Sequence, residues 1–323
     1  MEVYTPDQNN VENQNEPEKQ NNQKRTFALS ELNEMTPLWK KIVFFCVGFL
    51  GLQAIAIIVQ LIVMTTKLFD RSTMNFTILG STLVNFITYV IICGILVLIC
   101  FLGKDGAAKR IYTPFKKKET YTWGAIGFGL VLAINIFFSL IYNFLPDFEQ
   151  NANQMGINEM LDAYPFLVFI MTAIMAPIVE EITYRAGLCD LIGKKNRWLG
   201  IILSAVLFGL IHFDFSPILS LIAPAKSYYD SSIGEVVEYT AEQLAKMKEL
   251  NIHALIIEIE NLPVYICSGI ALAFVYCKTG NLSTSMFAHC LVNSYSFLGY
   301  IANKAMQNGG SDSITSAFRI FFR

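Results

Sequence analysis

Seven times along this chain an apolar run appears that is long enough to cross a lipid bilayer or nearly so. Ile42 to Thr65, Phe76 to Leu102 and Tyr121 to Phe144 carry almost no charge. At 1.5 Å per residue each spans the ~30 Å of hydrocarbon as a helix. Lipid offers the backbone no hydrogen-bond partner, so a lone run of this kind has little choice but to be helical. Four further runs follow: Pro165 to about Leu188, Trp198 to about Phe215, Leu262 to Tyr276 and Leu282 to Ala302. Only 15% of the residues are charged and 54% are hydrophobic, well away from the roughly one-quarter charged of a soluble domain. The expectation is an all-α, polytopic helical membrane protein of seven spans, or eight if an irregular one lies in the longest polar interval. A net charge of −2 gives no basic patch, so nucleic acid is not an expected partner. The expected surroundings are the bilayer itself.

The rest of the chain divides around those spans. Residues 1–36 are rich in Asn, Gln, Glu and Lys and are expected to be a disordered cytoplasmic tail. The first apolar run starts at Ile42 and is too long for the core of a signal peptide, so none is expected. Residues 37–164 hold the first three spans and 165–302 the rest. Within the second block lies a polar insert, 223–261, where Leu244, Met247 and Leu250 recur at helical spacing, suggesting a solvated loop or a short amphipathic helix. Residues 303–323 form a tail. Lysine and arginine favour the cytoplasmic ends of spans. Lys40 and Lys41, the segment from Lys104 to Lys118, and Lys194, Lys195 and Arg197 all fall at one end, whereas the loop holding Asp147, Glu149, Glu159 and Asp162 has no basic residue. This alternation puts the N-terminus in the cytoplasm and Glu180 in the cytoplasmic half.

Against that apolar background, Glu180-Glu181-Ile182-Thr183-Tyr184-Arg185 stands out. Phe166 to Ile178 contains Thr172 as its one polar side chain, so these charges lie within a membrane segment. Intramembrane acids are rare and usually functional. Glu181 and Arg185 are spaced i, i+4 in the order that favours an ion pair, which directs Glu180 elsewhere. Of the three histidines, His212 and His289 interrupt apolar runs. Phe208 precedes His212 by four and Asn293 follows His289 by four, so each pair shares a helix face. Charged and polar groups in a bilayer gather on one another or on a wet cavity, which gives Glu180, Glu181, Arg185, His212, His289 and Asn293 one expected meeting place.

A carboxylate beside an imidazole can deprotonate a water, and a second imidazole with an amide can stabilise an oxyanion. These parts fit peptide-bond hydrolysis. A zinc site built from Glu180, His212 and His289 is an alternative donor set, although no HExxH spacing accompanies it. No GxSxG elbow supports a serine nucleophile. The seven cysteines lie in or beside apolar runs without a CxxC pair and read as small buried hydrophobes. Depth is a point for the structure to reconcile: counted from Trp198, His212 lies ~20 Å along its helix, whereas Glu180 lies only ~8 to 12 Å from Leu188.

The motifs Glu180-Glu181-Ile182-Thr183-Tyr184-Arg185, Phe208-Gly209-Leu210-Ile211-His212 and His289-Cys290-Leu291-Val292-Asn293 resemble, in order and spacing, the EExxxR, FxxxH and HxxxN motifs of the CAAX prenyl endopeptidase and bacteriocin-processing (Abi) family of intramembrane proteases. The resemblance covers roughly Pro165 to Tyr300. It implies an all-helical core that cleaves peptide bonds with a glutamate-activated water and no cofactor. By the same resemblance Glu180 is the general base aided by His212, His289 and Asn293 form the oxyanion site, and Glu181 with Arg185 is an orienting ion pair. Phe208 and Tyr184 are expected to line a substrate pocket. The implied partner is a membrane-associated peptide or protein in a bacterial plasma membrane. Two other readings of the same residues are a non-catalytic scaffold or bacteriocin-immunity protein, and a proton-coupled transporter, for which no inverted repeat is visible.

Overall fold

A computed structural model describes residues 36–103, 105–145, 148–230 and 234–307. The expected N-terminal tail, apart from Thr36, and the end of the C-terminal tail lie outside these residues.

The protein is an all-α polytopic membrane protein. Its helices are α1 Leu38–Val63, α2 Ile78–Phe101, α3 Ala107–Tyr112, α4 Lys118–Tyr142, α5 Ala152–Ala163, α6 Pro165–Gly193, α7 Arg197–Leu210, α8 Ser216–Ile222, α9 Ala241–Thr279 and α10 Leu282–Gln307. Two small antiparallel hairpins interrupt them, β1 Phe69–Asp70 with β2 Asn75–Phe76 and β3 Ser227–Asp230 with β4 Glu235–Glu238. Helices α1, α2, α4, α6 and α9 are long and apolar enough to cross a membrane, and α7 is a shorter apolar helix. Exposure supports this environment. Leu50, Leu61 and Ile62 on α1, Leu98 and Phe101 on α2, and Phe137 and Leu140 on α4 are each about 60% exposed. Such a belt would be an aggregation liability in water and is the ordinary surface of a bundle in lipid.

The helices end where the sequence supplies a stop or a cap. Thr77, Asn151 and Asn196 accept the first free N–H groups of α2, α5 and α7. Gly280, at φ 67°, closes α9 in the left-handed conformation and makes the tight turn into α10. Lys40 is fully buried rather than solvated: its ammonium binds the Leu102 carbonyl at 2.6 Å and Asp105 at 2.7 Å, fastening the start of α1 to the end of α2.

Two expectations about extent are corrected. The fifth span was expected to reach Phe215 but stops at Leu210, after which the chain turns and restarts as α8. The insert 223–261 is neither a plain loop nor a short separate helix. After the β3–β4 hairpin, a Thr240/Gln243 capping box starts α9, which runs unbroken through Pro263 for 39 residues. The sixth span, expected from Leu262 to Tyr276, is the C-terminal part of this longer helix. The helix continues N-terminal to it, and Tyr142 donates to the nearby Glu260 carbonyl at 2.9 Å. The cysteines are mostly buried or half-buried as expected, Cys46 being exposed.

Candidate active site

Helix α6 carries the acids and is not a regular helix. It widens to π geometry over Ile170–Met175 and again over Ile182–Cys189, on either side of Glu180 and Glu181. Pro177 explains a consequence of the first widening. In π geometry the Ala176 N–H bonds to the Met171 carbonyl, so the Thr172 carbonyl would next take its proton from residue 177, which has no N–H. The Asn293 amide fills that gap, donating to the Thr172 carbonyl at 2.7 Å. A sequence-encoded defect in α6 is thereby what locks α10 in register beside it.

The second π segment meets α1. A Cβ placed on Gly48 would lie 1.7 Å from Thr183 Oγ1, and one on Gly187 would lie 2.9 Å from the Phe45 backbone nitrogen. The two glycines let the helices approach to backbone contact, as small residues do in membrane interiors. Behind the site, Glu181 and Arg185 are fully buried. Glu181 Oε2 lies 3.2 Å from Arg185 Nε, the expected ion pair. Its angles are not those of a hydrogen bond, and among the described residues the guanidinium nitrogens have no hydrogen-bond partner. The cation instead sits over the Phe208 ring at 5.0 Å.

His289 joins the two glutamates. Its Nδ1 donates to Glu181 Oε1 at 3.0 Å, and its Nε2 lies 3.7 Å from Glu180 Oε2. A carboxylate only accepts, so the bond to Glu181 puts the proton on Nδ1 and leaves Nε2 toward Glu180. Tyr89 of α2 lines the same cavity as Glu180. Tyr89 is a site residue that the motifs do not reveal, because one tyrosine in an apolar run carries no spacing signal.

Glu180, Tyr184, Phe208, His212, His289 and Asn293 all line one cavity of about 1220 Å³, with Glu181 and Arg185 behind its wall. The expected gathering of polar groups is therefore present, with one change in the pairing. His289, not His212, is the imidazole beside Glu180. The contacts of the His212 ring are with Phe208 at 5.2 Å, a stack on Tyr265 at 4.5 Å, and a hydrogen bond between Asn153 Nδ2 and Nδ1 at 3.4 Å. Asn151 holds the His212 carbonyl at 2.8 Å. Phe208 bridges the cluster, packing edge-on against Tyr184 and His289 at 5.8 and 5.7 Å. Around His212, buried Glu258 of α9 accepts from the Ala152 N–H at 2.9 Å and the Asp214 N–H at 3.0 Å, pinning the start of α5 and the turn after α7. The capping box that extends α9 back to Glu258 was the available signal for this clasp.

The depth mismatch also resolves. Because α6 continues to Gly193, Glu180 lies ~20 Å from that end, level with His212 measured along α7. Glu180 thus lies about halfway along α6. Among the described residues no group of three or more His, Cys, Asp or Glu side chains is placed to hold a metal ion.

Residues 162–295 match the family model described as type II CAAX prenyl endopeptidase, Rce1-like. Three curated bacterial proteins are similar over parts of their length. UPF0177 protein YvdC of Lactococcus lactis is 26% identical over 87 residues, 27% of this chain and 33% of that protein. A Bacillus subtilis protein named Putative membrane peptidase YdiL is 22% identical over 175 residues, 54% of this chain and 53% of the other. UPF0177 protein YbdI of Lactococcus lactis is 29% identical over 109 residues, 32% and 59% respectively. The chain thus spans between a third and three-fifths of the length of these relatives. No solved structure matches it.

Proposed function

We propose that this chain, whose residues 162–295 match the Rce1-like family, is an intramembrane endopeptidase that hydrolyses a peptide bond of a membrane-associated peptide or protein. The observation that carries the reading is the Glu180–His289 pair on the cavity wall. Two acceptors 3.7 Å apart can share one water lying ~2.8 Å from each. Glu180 takes a proton from that water as its oxygen attacks the substrate carbonyl carbon, and returns the proton to the leaving nitrogen as the C–N bond breaks. Glu181 orients His289 and, with Arg185 behind it, keeps the imidazole in one tautomer. With Asn153 donating to Nδ1, His212 carries its proton on Nε2 and is the donor offered to the oxyanion, alongside the remaining N–H of Asn293. This exchanges the two imidazole roles that the family resemblance implies.

No cofactor is part of the scheme. The bacterial relatives and the basic loops support a bacterial plasma membrane with the N-terminus in the cytoplasm. The test is cleavage of a proteome-derived peptide library by the purified full-length chain, read by mass spectrometry. Wild type should cleave a defined subset with chelator present, and Glu180→Gln should not. Cleavage retained by Glu180→Gln, or abolished by chelation and restored by zinc, would refute the scheme.

A further inference from the structure

We infer that the site takes an uncharged, extended stretch of polypeptide, admitted from the end of the bundle opposite the basic loops and cut at a bond remote from any free C-terminal carboxylate. The inference rests on the peptidase reading above and deepens it.

Carboxamides are the largest polar class on the wall of the cavity, beside hydroxyls and the two imidazoles. Eleven Asn and Gln side chains line it, among them Asn85, Asn135, Asn153, Gln154, Asn158 and Asn293. Among the described lining residues Glu180 is the one carboxylate, and none is Lys or Arg. A carboxamide carries two N–H donors and a carbonyl with two lone pairs, the same inventory that a peptide group presents. Part of that inventory is committed within the protein. Asn135 donates to the Val131 carbonyl at 2.8 Å, Gln154 to Asn158 at 2.9 Å, and Asn158 to Gln150 at 2.8 Å. Each bond fixes the orientation of an amide and leaves it further donors or acceptors. Such a wall can satisfy successive N–H and C=O groups of an extended chain, which must find partners once removed from water.

The same wall offers a carboxylate hydrogen-bond donors but, among the described residues, no cation. An ionised C-terminus brought close to the cut bond would enter beside Glu180 with no described cation on the wall to pair with it, and an unpaired buried charge is strongly disfavoured.

The position of the mouth follows from chain direction. The lining residues Asn143, Leu145, Phe148 and Gln150 lie beyond Tyr142, the end of α4 away from Lys118. No described lining residue comes from 102–118, 194–197 or 278–281, the connections at the basic end. The described lining therefore reaches the acidic-loop end of the bundle and stops short of the basic one, which is the ground for entry from the acidic side.

The experiment uses the full chain in lipid nanodiscs and uncharged peptides taken from the sequences that the library identifies as cleaved. One set ends soon after the cut bond and a second ends far beyond it, each made with a free carboxylate or a carboxamide terminus. In the short set the amide form should be cleaved with a kcat/KM at least ~10-fold above the acid form, equivalent to ~1.4 kcal/mol. In the long set the two should be equal. Gln154→Lys, on the wall but outside the reacting groups, should narrow or reverse the short-set difference. Preference for the short acid form would overturn this inference alone, as would a difference that Gln154→Lys leaves unchanged. Absence of cleavage in every set would remove the peptidase reading and this inference with it.

Discussion

Adjacent glutamates in this protein should respond to the same substitution in opposite ways. Glu181 is fully buried against Arg185, itself fully buried, and also accepts from His289 at 3.0 Å. Glu181→Gln preserves shape but leaves the guanidinium as an uncompensated charge, and removing one member of a buried pair costs about 3–5 kcal/mol. Glu180 lines the cavity, where water can solvate the replacement amide, so Glu180→Gln should change stability by less than ~1 kcal/mol while abolishing hydrolysis. The assay is unfolding of the purified protein in detergent, followed by intrinsic fluorescence, with peptide cleavage measured on the same samples. A double-mutant cycle sharpens it. Arg185→Met removes the orphaned cation, so Glu181→Gln with Arg185→Met should recover at least ~2 kcal/mol relative to the sum of the single changes. If Glu181→Gln is as stable as wild type, or Glu180→Gln is the more damaging to the fold, the assignment of one acid to structure and the other to chemistry is wrong.

Three further outcomes test other parts of the account. Gly48→Ala places a methyl group against Thr183 Oγ1, which is already committed to the Val179 carbonyl at 2.6 Å; α1 must move off α6, and unfolding should show a loss of about 1–3 kcal/mol. Glu258→Ala leaves the Ala152 and Asp214 N–H groups without their acceptor at about 1–3 kcal/mol for each group left buried, and by loosening the ground around His212 it should lower kcat more than it raises KM. Outside the spans, burial pushes the Asp162 carboxyl up, but Lys304 and Tyr300 outweigh that and hold it below the usual carboxylate range. A depressed folded value means the α5–α10 contact contributes above the unfolded value near pH 4 and is lost as pH falls through the folded value. The pair is well exposed, so Asp162→Asn should cost no more than about 1 kcal/mol at neutral pH and nothing in strong acid.

Much of this architecture is legible in the sequence, because lipid leaves the backbone so few choices. Apolar runs become helices, and the acids, imidazoles and amides scattered through them have to converge. That logic correctly brings Glu180, His212, His289 and Asn293 to one cavity. It does not determine which imidazole faces which acid, since that depends on local rotation of α6. The π turns at Ile170–Met175 and Ile182–Cys189 shift that rotation, and a periodicity of 3.6 cannot anticipate them. Pro177 was the clue to the first, because a proline inside a span leaves a carbonyl that something must satisfy. The start of α9 was missed for another reason: the Thr240/Gln243 box that begins it lies in a stretch too polar to read as part of a span. Tyr89, Tyr265 and the carboxamide lining were invisible for a different reason. Single polar residues on separate helices acquire meaning only when packing places them side by side.

The most direct test of the central claim is to see where a substrate lies. A structure of the Glu180→Gln protein with an uncleaved library peptide should place the scissile carbonyl carbon within ~4 Å of the side chain at position 180, with its oxygen toward His212 and Asn293. A peptide bound with that bond outside the cavity, or nearer another set of polar groups, would contradict the account.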